Sequence, residues 1–79
     1  IDLAGADGRR DTEARLELQR VLDAISRLPP EQRAVMAMVS VESYSYREAA
    51  EALDIPIGTV MSRLARARVR LNELLGGAR

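Results

Sequence analysis

Residues 45–71, SYREAAEALDIPIGTVMSRLARARVRL, decide the fold of this 79-residue chain. Ser45 is followed three residues later by Glu48, which is the spacing of a capping box, where each side chain binds the backbone N–H of the other residue. This pattern predicts a short helix that begins after Ser45 and ends near Leu53. A tight turn of about four residues follows, and a longer helix begins after it.

The last helix is predicted to have one apolar and one polar face. Pro56 suits its first position, because the missing N–H of proline has no intrahelical partner there. Gly76 and Gly77 predict its end after about Leu75. At about 100° per residue, the buried stripe consists of Val60, Leu64, Ala67, Leu71 and Leu74. The outer side carries Thr59, Ser62, Arg66 and Arg70, with Arg63 at its edge, and these five are the candidate binding residues.

A short helix, a tight turn and a longer basic helix form the pattern of a helix-turn-helix. The outer face of the last helix is small and polar near its start and rich in arginine further on. Small residues let a helix backbone approach a major groove, and arginine reaches guanine edges or phosphates. The pattern therefore predicts binding to double-stranded DNA. A plain four-helix bundle is the alternative, since unrelated bundles also contain such helix pairs.

Two more helices are predicted upstream, so the expected fold is all-α, a four-helix domain with a C-terminal helix-turn-helix. It covers residues 11–79, and residues 1–10 are expected to form a linker or disordered tail. The first helix should begin at Asp11 or Thr12 and end at Pro29. Its apolar stripe consists of Leu18, Val21, Leu22, Ile25 and Leu28.

The second helix is predicted to begin at Pro30 and to be apolar on nearly every side between Ala34 and Val41. Such a helix is usually central and covered by its neighbours. Flexible methionine side chains also suit a surface that accepts more than one partner. We expect part of this stretch to line a partly exposed groove, with the candidates Val35, Met36, Met38 and Val39. The alternative is that all four are core.

The composition argues against most other functions. Cysteine and histidine are absent, which excludes disulfides, thiolate or imidazole metal ligands and catalysis by a Ser-His-Asp triad. The acidic residues are scattered and there is no glycine-rich phosphate loop, so we expect no enzyme, no metal and no cofactor. The only aromatic residues are Tyr44 and Tyr46, too few for stacking single-stranded bases. No apolar run approaches the roughly 20 residues of a membrane span.

The charge is distributed unevenly along the chain. Residues 1–56 hold seven arginines and eleven acidic residues, a net charge of −4, whereas residues 57–79 hold five arginines and one glutamate, a net charge of +4. This asymmetry indicates that one element meets a polyanion. A solvated helix face with a fortuitous bias is the alternative.

Three stretches closely resemble region four of the extracytoplasmic-function (ECF) sigma factors, the C-terminal domain of the sigma subunit of bacterial RNA polymerase. They are residues 28–33 (LPPEQR), 45–53 (SYREAAEAL) and 55–68 (IPIGTVMSRLARAR). The resemblance extends over about residues 11–75. The run Gly-Thr-Val-x-Ser-Arg-Leu-x-Arg-Ala-Arg is highly specific among helix-turn-helix proteins.

The resemblance implies that the last helix recognises the −35 promoter element, as part of a sigma factor that initiates transcription of a stress or envelope-response regulon. It implies contact with the flap of the polymerase β subunit, sequestration by an anti-sigma factor, and a cytoplasmic, nucleoid-associated protein. By position, Thr59, Ser62, Arg63 and Arg66 face DNA, with Arg68 and Arg70 nearer its backbone. The alternative is a sigma-mimicking domain that binds an anti-sigma factor without reading DNA; loss of the outward arginines would mark it, and they are present.

Three positions need separate expectations. Met61 stands where the family often has a basic residue; methionine cannot pair with phosphate or guanine, but it can touch a thymine methyl. Asp54 stands where a glycine often closes the preceding helix, a turn that aspartate tolerates at some cost. The helical wheel places Arg68 near the buried edge, where we expect an acidic partner from a preceding helix.

Overall fold

The structure is a computed structural model that describes residues 8–77, with side chains described from residue 11 onward. The described residues form four helices and no strand, which confirms the predicted all-α fold. The helices are α1 (Gly8–Ser26), α2 (Pro30–Met36, continued by a π-helical turn, Ala37–Val41), α3 (Tyr46–Leu53) and α4 (Ile57–Leu74). None of these helices is both long enough and apolar enough to cross a membrane.

Helix α1 begins earlier than its sequence predicts. It starts at Gly8 rather than at Asp11 or Thr12, so residues 8–10 are helical, while the rest of the expected tail, residues 1–7, lies outside the described residues. Asp11 lies in the first turn instead of capping the helix, and its carboxylate is 3.1 Å from the Arg15 guanidinium one turn later. A carboxylate there also interacts favourably with the helix dipole.

The two prolines separate α1 from α2 as predicted. Pro29 is the N-cap of α2 and Pro30 is its first residue. The Arg33 guanidinium reaches back and donates hydrogen bonds to the carbonyls of Ser26 and Leu28, at 3.4 and 3.2 Å. Ser26 is the last residue of α1 and Leu28 lies just beyond it, where carbonyls lack intrahelical partners. Arg33 therefore joins the two helices.

The core consists of two clusters on either side of α2. One cluster, which we call the helix-turn-helix core, contains Val35, Ala49, Ala50, Val60 and Leu64. The other, the α1 core, contains Ile25, Leu28, Met36 and Ala67. Because Val35 and Met36 are neighbours in sequence but belong to different clusters, α2 lies in the centre of the domain, as predicted. The predicted stripe of α4 is also confirmed, since Leu71 and Leu74 are partly buried against the α1 core.

The predicted apolar stripe of α1 is only half buried. Ile25 and Leu28 are core residues, but Leu18 is 58% exposed and Leu22 is 37% exposed. All side chains from residue 12 to residue 20 are exposed, so the neighbouring helices cover only the C-terminal part of α1. The prediction for Leu18 and Leu22 is therefore wrong, because periodicity cannot show where a neighbouring helix ends.

The four candidate groove residues on α2 divide into two pairs. Val35 and Met36 are buried, at 0% and 2% exposure, so the prediction that they are open to a partner is wrong. The physical reason is that α1, α3 and α4 together cover both sides of α2. Met38 and Val39 are half-buried against the helix-turn-helix core and remain predicted contacts.

Candidate nucleic-acid interface

The start of α3 is fixed by the predicted capping box. The Glu48 N–H donates to Ser45 Oγ at 3.0 Å, and the Ser45 N–H donates to Glu48 Oε1 at 2.8 Å. Ala49 and Ala50 are the buried residues of this helix. Because their side chains are small, α3 can pack closely against α4, the second helix of the helix-turn-helix.

Asp54 closes α3 in the left-handed conformation, with φ 57° and ψ 49°. Its N–H donates to the Glu51 carbonyl at 3.3 Å, and the Ile55 N–H donates to the Ala50 carbonyl at 3.0 Å. This turn is usually made by glycine. The expectation that aspartate adopts the glycine turn here is confirmed.

Helix α4 begins one residue later than predicted. Pro56 is its N-cap, with an extended ψ of 148°, and Ile57 is its first residue. The Pro56 carbonyl accepts hydrogen bonds from the N–H groups of Thr59 and Val60, at 3.0 and 3.2 Å. The turn of the helix-turn-helix is therefore only three residues long, residues 54–56, so the N-terminal turn of α4 lies directly beside the end of α3.

The structure places all five candidate DNA-binding residues away from the buried stripe of α4. Ser62, Arg66 and Arg70 are exposed, whereas Thr59 and Arg63 are half-buried at the edge of the exposed face. The Ser62 hydroxyl donates to the Thr59 carbonyl at 3.2 Å, which holds this short side chain against the helix. Thr59 and Ser62 are therefore short side chains held close to the N-terminal end of α4.

The arginines with described side chains on α1, and Arg27 directly after it, are paired with nearby carboxylates. Arg15, Arg20 and Arg27 each form an ion pair with a carboxylate one turn earlier, at 3.1, 3.4 and 3.1 Å. Arg70 on α4 likewise lies 3.3 Å from Glu73. Such exposed pairs contribute about 0–1 kcal/mol each, but they reduce the positive field around their arginines.

Most of the described arginines that lack such pairs lie on the helix-turn-helix. Among the residues whose side chains the structure describes, five arginines form no ion pair: Arg33, Arg47, Arg63, Arg66 and Arg68. Arg33 lies on α2 and donates to the backbone carbonyls of Ser26 and Leu28, and the other four lie on the helix-turn-helix. Arg63 and Arg66 lie on α4, and Arg47 lies in the first turn of α3. The uncompensated positive charge of the described residues is thus concentrated on the two helices of this motif.

Arg68 has a partner, but it is not the acid that the helical wheel suggested. Its Nη2 lies 3.4 Å from the hydroxyl of Tyr46 at the start of α3. The expectation of an acidic partner is wrong, because Arg68 forms no ion pair with a described residue and its hydrogen-bond partner on α3 is the Tyr46 phenol. A neutral partner leaves the charge of Arg68 uncompensated, while it ties α4 to α3.

Arg47 is not among the residues that the sequence predicts to bind DNA. This side chain is exposed and borders an open groove of about 500 Å³ between α3 and the start of α4, together with Asp54, Pro56 and Ile57. In helix-turn-helix proteins the first helix of the pair crosses the DNA backbone. A basic residue in the first turn of α3 was the signal that could have identified it. Separately, residues 8–77 contain no cluster of three or more acidic metal-ligating side chains.

Comparison with known proteins finds similarity to bacterial sigma factors. Residues 18–71, which include both helices of the motif, match the family model described as sigma-70, region 4. The ECF RNA polymerase sigma factor SigM of Mycobacterium tuberculosis is 45% identical over 71 residues, which are 90% of this chain and 35% of SigM.

Two further relatives show the same pattern. The RNA polymerase sigma factor HrpL of Pseudomonas syringae pv. syringae is 44% identical over 57 residues, 72% of this chain and 31% of HrpL. The ECF RNA polymerase sigma factor EcfG of Rhodopseudomonas palustris is 37% identical over 62 residues, 78% of this chain and 34% of EcfG. This chain thus spans about a third of the length of these relatives. Because the family model covers most of the chain, including the whole helix-turn-helix, the chain belongs to the sigma-70 region 4 family.

Proposed function

We propose that this chain recognises the −35 element of bacterial promoters as the region 4 of an ECF sigma factor, with α4 in the major groove. The observation that carries the proposal is the set of unpaired arginines on the exposed side of the helix-turn-helix. Four arginines against one glutamate give α4 a net charge of +3, which favours a polyanion. The same function places the protein on the nucleoid in the cytoplasm, where it serves a stress or envelope-response regulon.

The proposed contacts follow from the exposure along α4. Thr59 and Ser62 have short side chains near the N-terminal end, so the backbone of α4 can come close to the bases. Arg66, one turn after Ser62, is exposed and unpaired, and its guanidinium fork can bind the O6 and N7 atoms of a guanine. Arg63 lies at the half-buried edge of this face, where a DNA phosphate is a nearer partner than a base.

The remaining arginines are positioned for the phosphate backbone. Arg47 projects from the first turn of α3, the helix that crosses the DNA backbone in this motif. Arg68, held by Tyr46, lies on the same α3 side of α4. Arg70 forms an exposed and therefore weak ion pair with Glu73. It can leave this pair and bind a phosphate, because the negative charge of the duplex is stronger.

We propose a second surface for protein partners at the end of α2. Met38 and Val39 are half-buried there, and Val41 and Tyr44 next to them are 52% and 37% exposed. An apolar surface with flexible side chains suits a docked helix. The flap of the polymerase β subunit and an anti-sigma factor are the proposed partners, and both are expected to use this surface. Their binding should then be mutually exclusive, and simultaneous binding in a competition assay would reject a shared surface.

The DNA-binding proposal is tested in two steps. First, the chain is used to select bound sequences from a randomised duplex library. Second, the chain replaces region 4 of SigM, and the chimera directs run-off transcription by polymerase core from templates that carry either the selected sequence or a scrambled one at the −35 position. Unaltered SigM on the same templates is the control.

We expect the chimera, but not SigM, to prefer the template with the selected sequence. Equal transcription from both templates by a chimera that binds core polymerase would contradict recognition of the −35 element by this chain. Failure to select any sequence would contradict it at the first step.

A further inference from the structure

The exposed surface of α4 is divided lengthwise into two strips. One contains the polar residues Thr59, Ser62 and Arg66 discussed above. The other, which we call the apolar strip, consists of residues spaced four apart, Ile57, Met61, Ala65 and Val69. All four are exposed, and the three large ones are 46%, 51% and 63% exposed, respectively.

The fold does not need the apolar strip. The core uses the opposite side of α4, where Val60, Leu64 and Ala67 are buried, and none of the four strip residues is a member of either core cluster. A continuous row of exposed apolar side chains on a small domain usually has a binding role. The apolar strip runs directly beside Ser62 and Arg66. We therefore expect the same partner to contact both strips.

The chemistry of the major groove identifies that partner. The bases present hydrogen-bond donors and acceptors there, and the one apolar group among them is the C5-methyl of thymine. The N-terminal residues of a recognition helix are the ones that reach base edges. Ile57 and Met61 are the large strip residues in the N-terminal part of α4. Met61 is the one adjacent to Ser62, so it is the strip residue closest to the predicted base contacts. Ala65, one turn later, is small and leaves space for the groove wall.

We propose that Met61 is a specificity-determining residue that reads a thymine by contact with its C5-methyl group, next to the base that Arg66 reads. This inference rests on the proposed function, because it requires α4 to lie in the major groove. A long, unbranched and polarizable side chain suits an apolar contact of this kind. The chain then prefers thymine at the position facing Met61 without any hydrogen bond to that base.

The test removes only the methyl group. Each thymine of the duplex selected by this chain is replaced, one at a time, with deoxyuridine, which keeps the pairing and the O4 acceptor. Binding is measured at low salt by fluorescence anisotropy for the wild-type chain, for Met61→Ala, and for Leu16→Ala as the control. Leu16 on α1 is 60% exposed, so its truncation removes a similarly exposed aliphatic side chain away from α4.

For the wild type and for Leu16→Ala, we expect deoxyuridine at one position to weaken binding about fourfold, which corresponds to the roughly 0.8 kcal/mol of one buried methyl group. Met61→Ala should bind the thymine duplex more weakly and should not respond to deoxyuridine at that position. A wild-type chain indifferent to deoxyuridine at every position would overturn the inference and leave −35 recognition intact, since the preference for the selected sequence would persist.

Two other outcomes would also contradict the contact between Met61 and the thymine methyl group. If Met61→Ala remains as sensitive to deoxyuridine as the wild type, another residue contacts the methyl group. If Met61→Ala binds every duplex normally but impairs transcription by the chimera, the apolar strip serves a protein partner instead. Absence of any sequence preference in the wild type would overturn the proposed function, and this inference with it.

Discussion

Leu64 is the residue whose truncation should most reduce the stability of this domain. It lies in the middle of α4, is 0% exposed, and belongs to the helix-turn-helix core with Val35 and Val60. Because this cluster joins α2, α3 and α4, a cavity at Leu64 weakens the contacts of three helices at once. We therefore expect Leu64→Ala to bring the domain close to unfolding.

The magnitude follows from the burial of the side chain. Leucine loses three carbon atoms on truncation to alanine, which removes about 2.4 kcal/mol of transfer free energy at about 0.8 kcal/mol per carbon. Because a cavity is also left behind, the stability lost on truncating a buried leucine to alanine is about 2–5 kcal/mol. A chain of this length has a free energy of unfolding of roughly 4–12 kcal/mol, and the exposed first half of α1 favours the lower end.

Thermal unfolding followed by far-UV circular dichroism measures this effect. About 3 kcal/mol corresponds to a fall in Tm of more than about 10 °C for a domain of this size. Leu18→Ala is the matched control, because Leu18 is 58% exposed and surface substitutions usually change stability by less than about 0.5 kcal/mol. If both variants melted within about 2 °C of the wild type, the assignment of the buried face of α4 would be refuted.

Two smaller effects are expected at the ends of α3. Ser45→Ala removes the capping hydrogen bond to the Glu48 N–H and should lower the free energy of unfolding by about 1 kcal/mol; a Tm equal to that of the wild type would contradict the capping role. Asp54→Gly should raise the free energy of unfolding by roughly 0.5–1 kcal/mol, because glycine adopts the left-handed conformation without strain; a lower Tm would show that the aspartate side chain stabilises the turn.

Local signals in the sequence predicted the parts of the fold that depend on neighbouring residues. The Ser45–Glu48 capping box and the boundary at Pro29 and Pro30 rest on interactions within about one turn of helix, and the stripe of α4 follows from the 3.6-residue period of its apolar residues. Such interactions are encoded by spacing alone, so the sequence was sufficient to predict the helix-turn-helix and the exposed position of Arg66.

Features that depend on distant contacts were not predictable in this way. The exposure of Leu18 depends on how far the neighbouring helices extend along α1. The burial of Met36 depends on which sides of α2 are covered by other helices. The partner of Arg68 is Tyr46, 22 residues away in sequence, and a helical wheel of α4 contains no information about α3.

We propose that α4 reads duplex DNA through Arg66. The salt dependence of binding between this chain and its selected duplex tests this contact directly. Arg66→Ala is compared with Arg20→Ala, which removes an exposed arginine that is paired with Glu17 on α1. Low salt is needed, because the few arginines of α4 make a small electrostatic footprint.

We expect Arg66→Ala to weaken binding to the selected sequence by roughly 1–3 kcal/mol and to reduce the preference over a scrambled duplex. Arg20→Ala should bind like the wild type. A uniform loss on all duplexes, with a salt slope smaller by about one, would assign Arg66 to a phosphate instead of a base. Binding by Arg66→Ala that equals the wild type at every salt concentration would contradict the claim that this face of α4 contacts DNA.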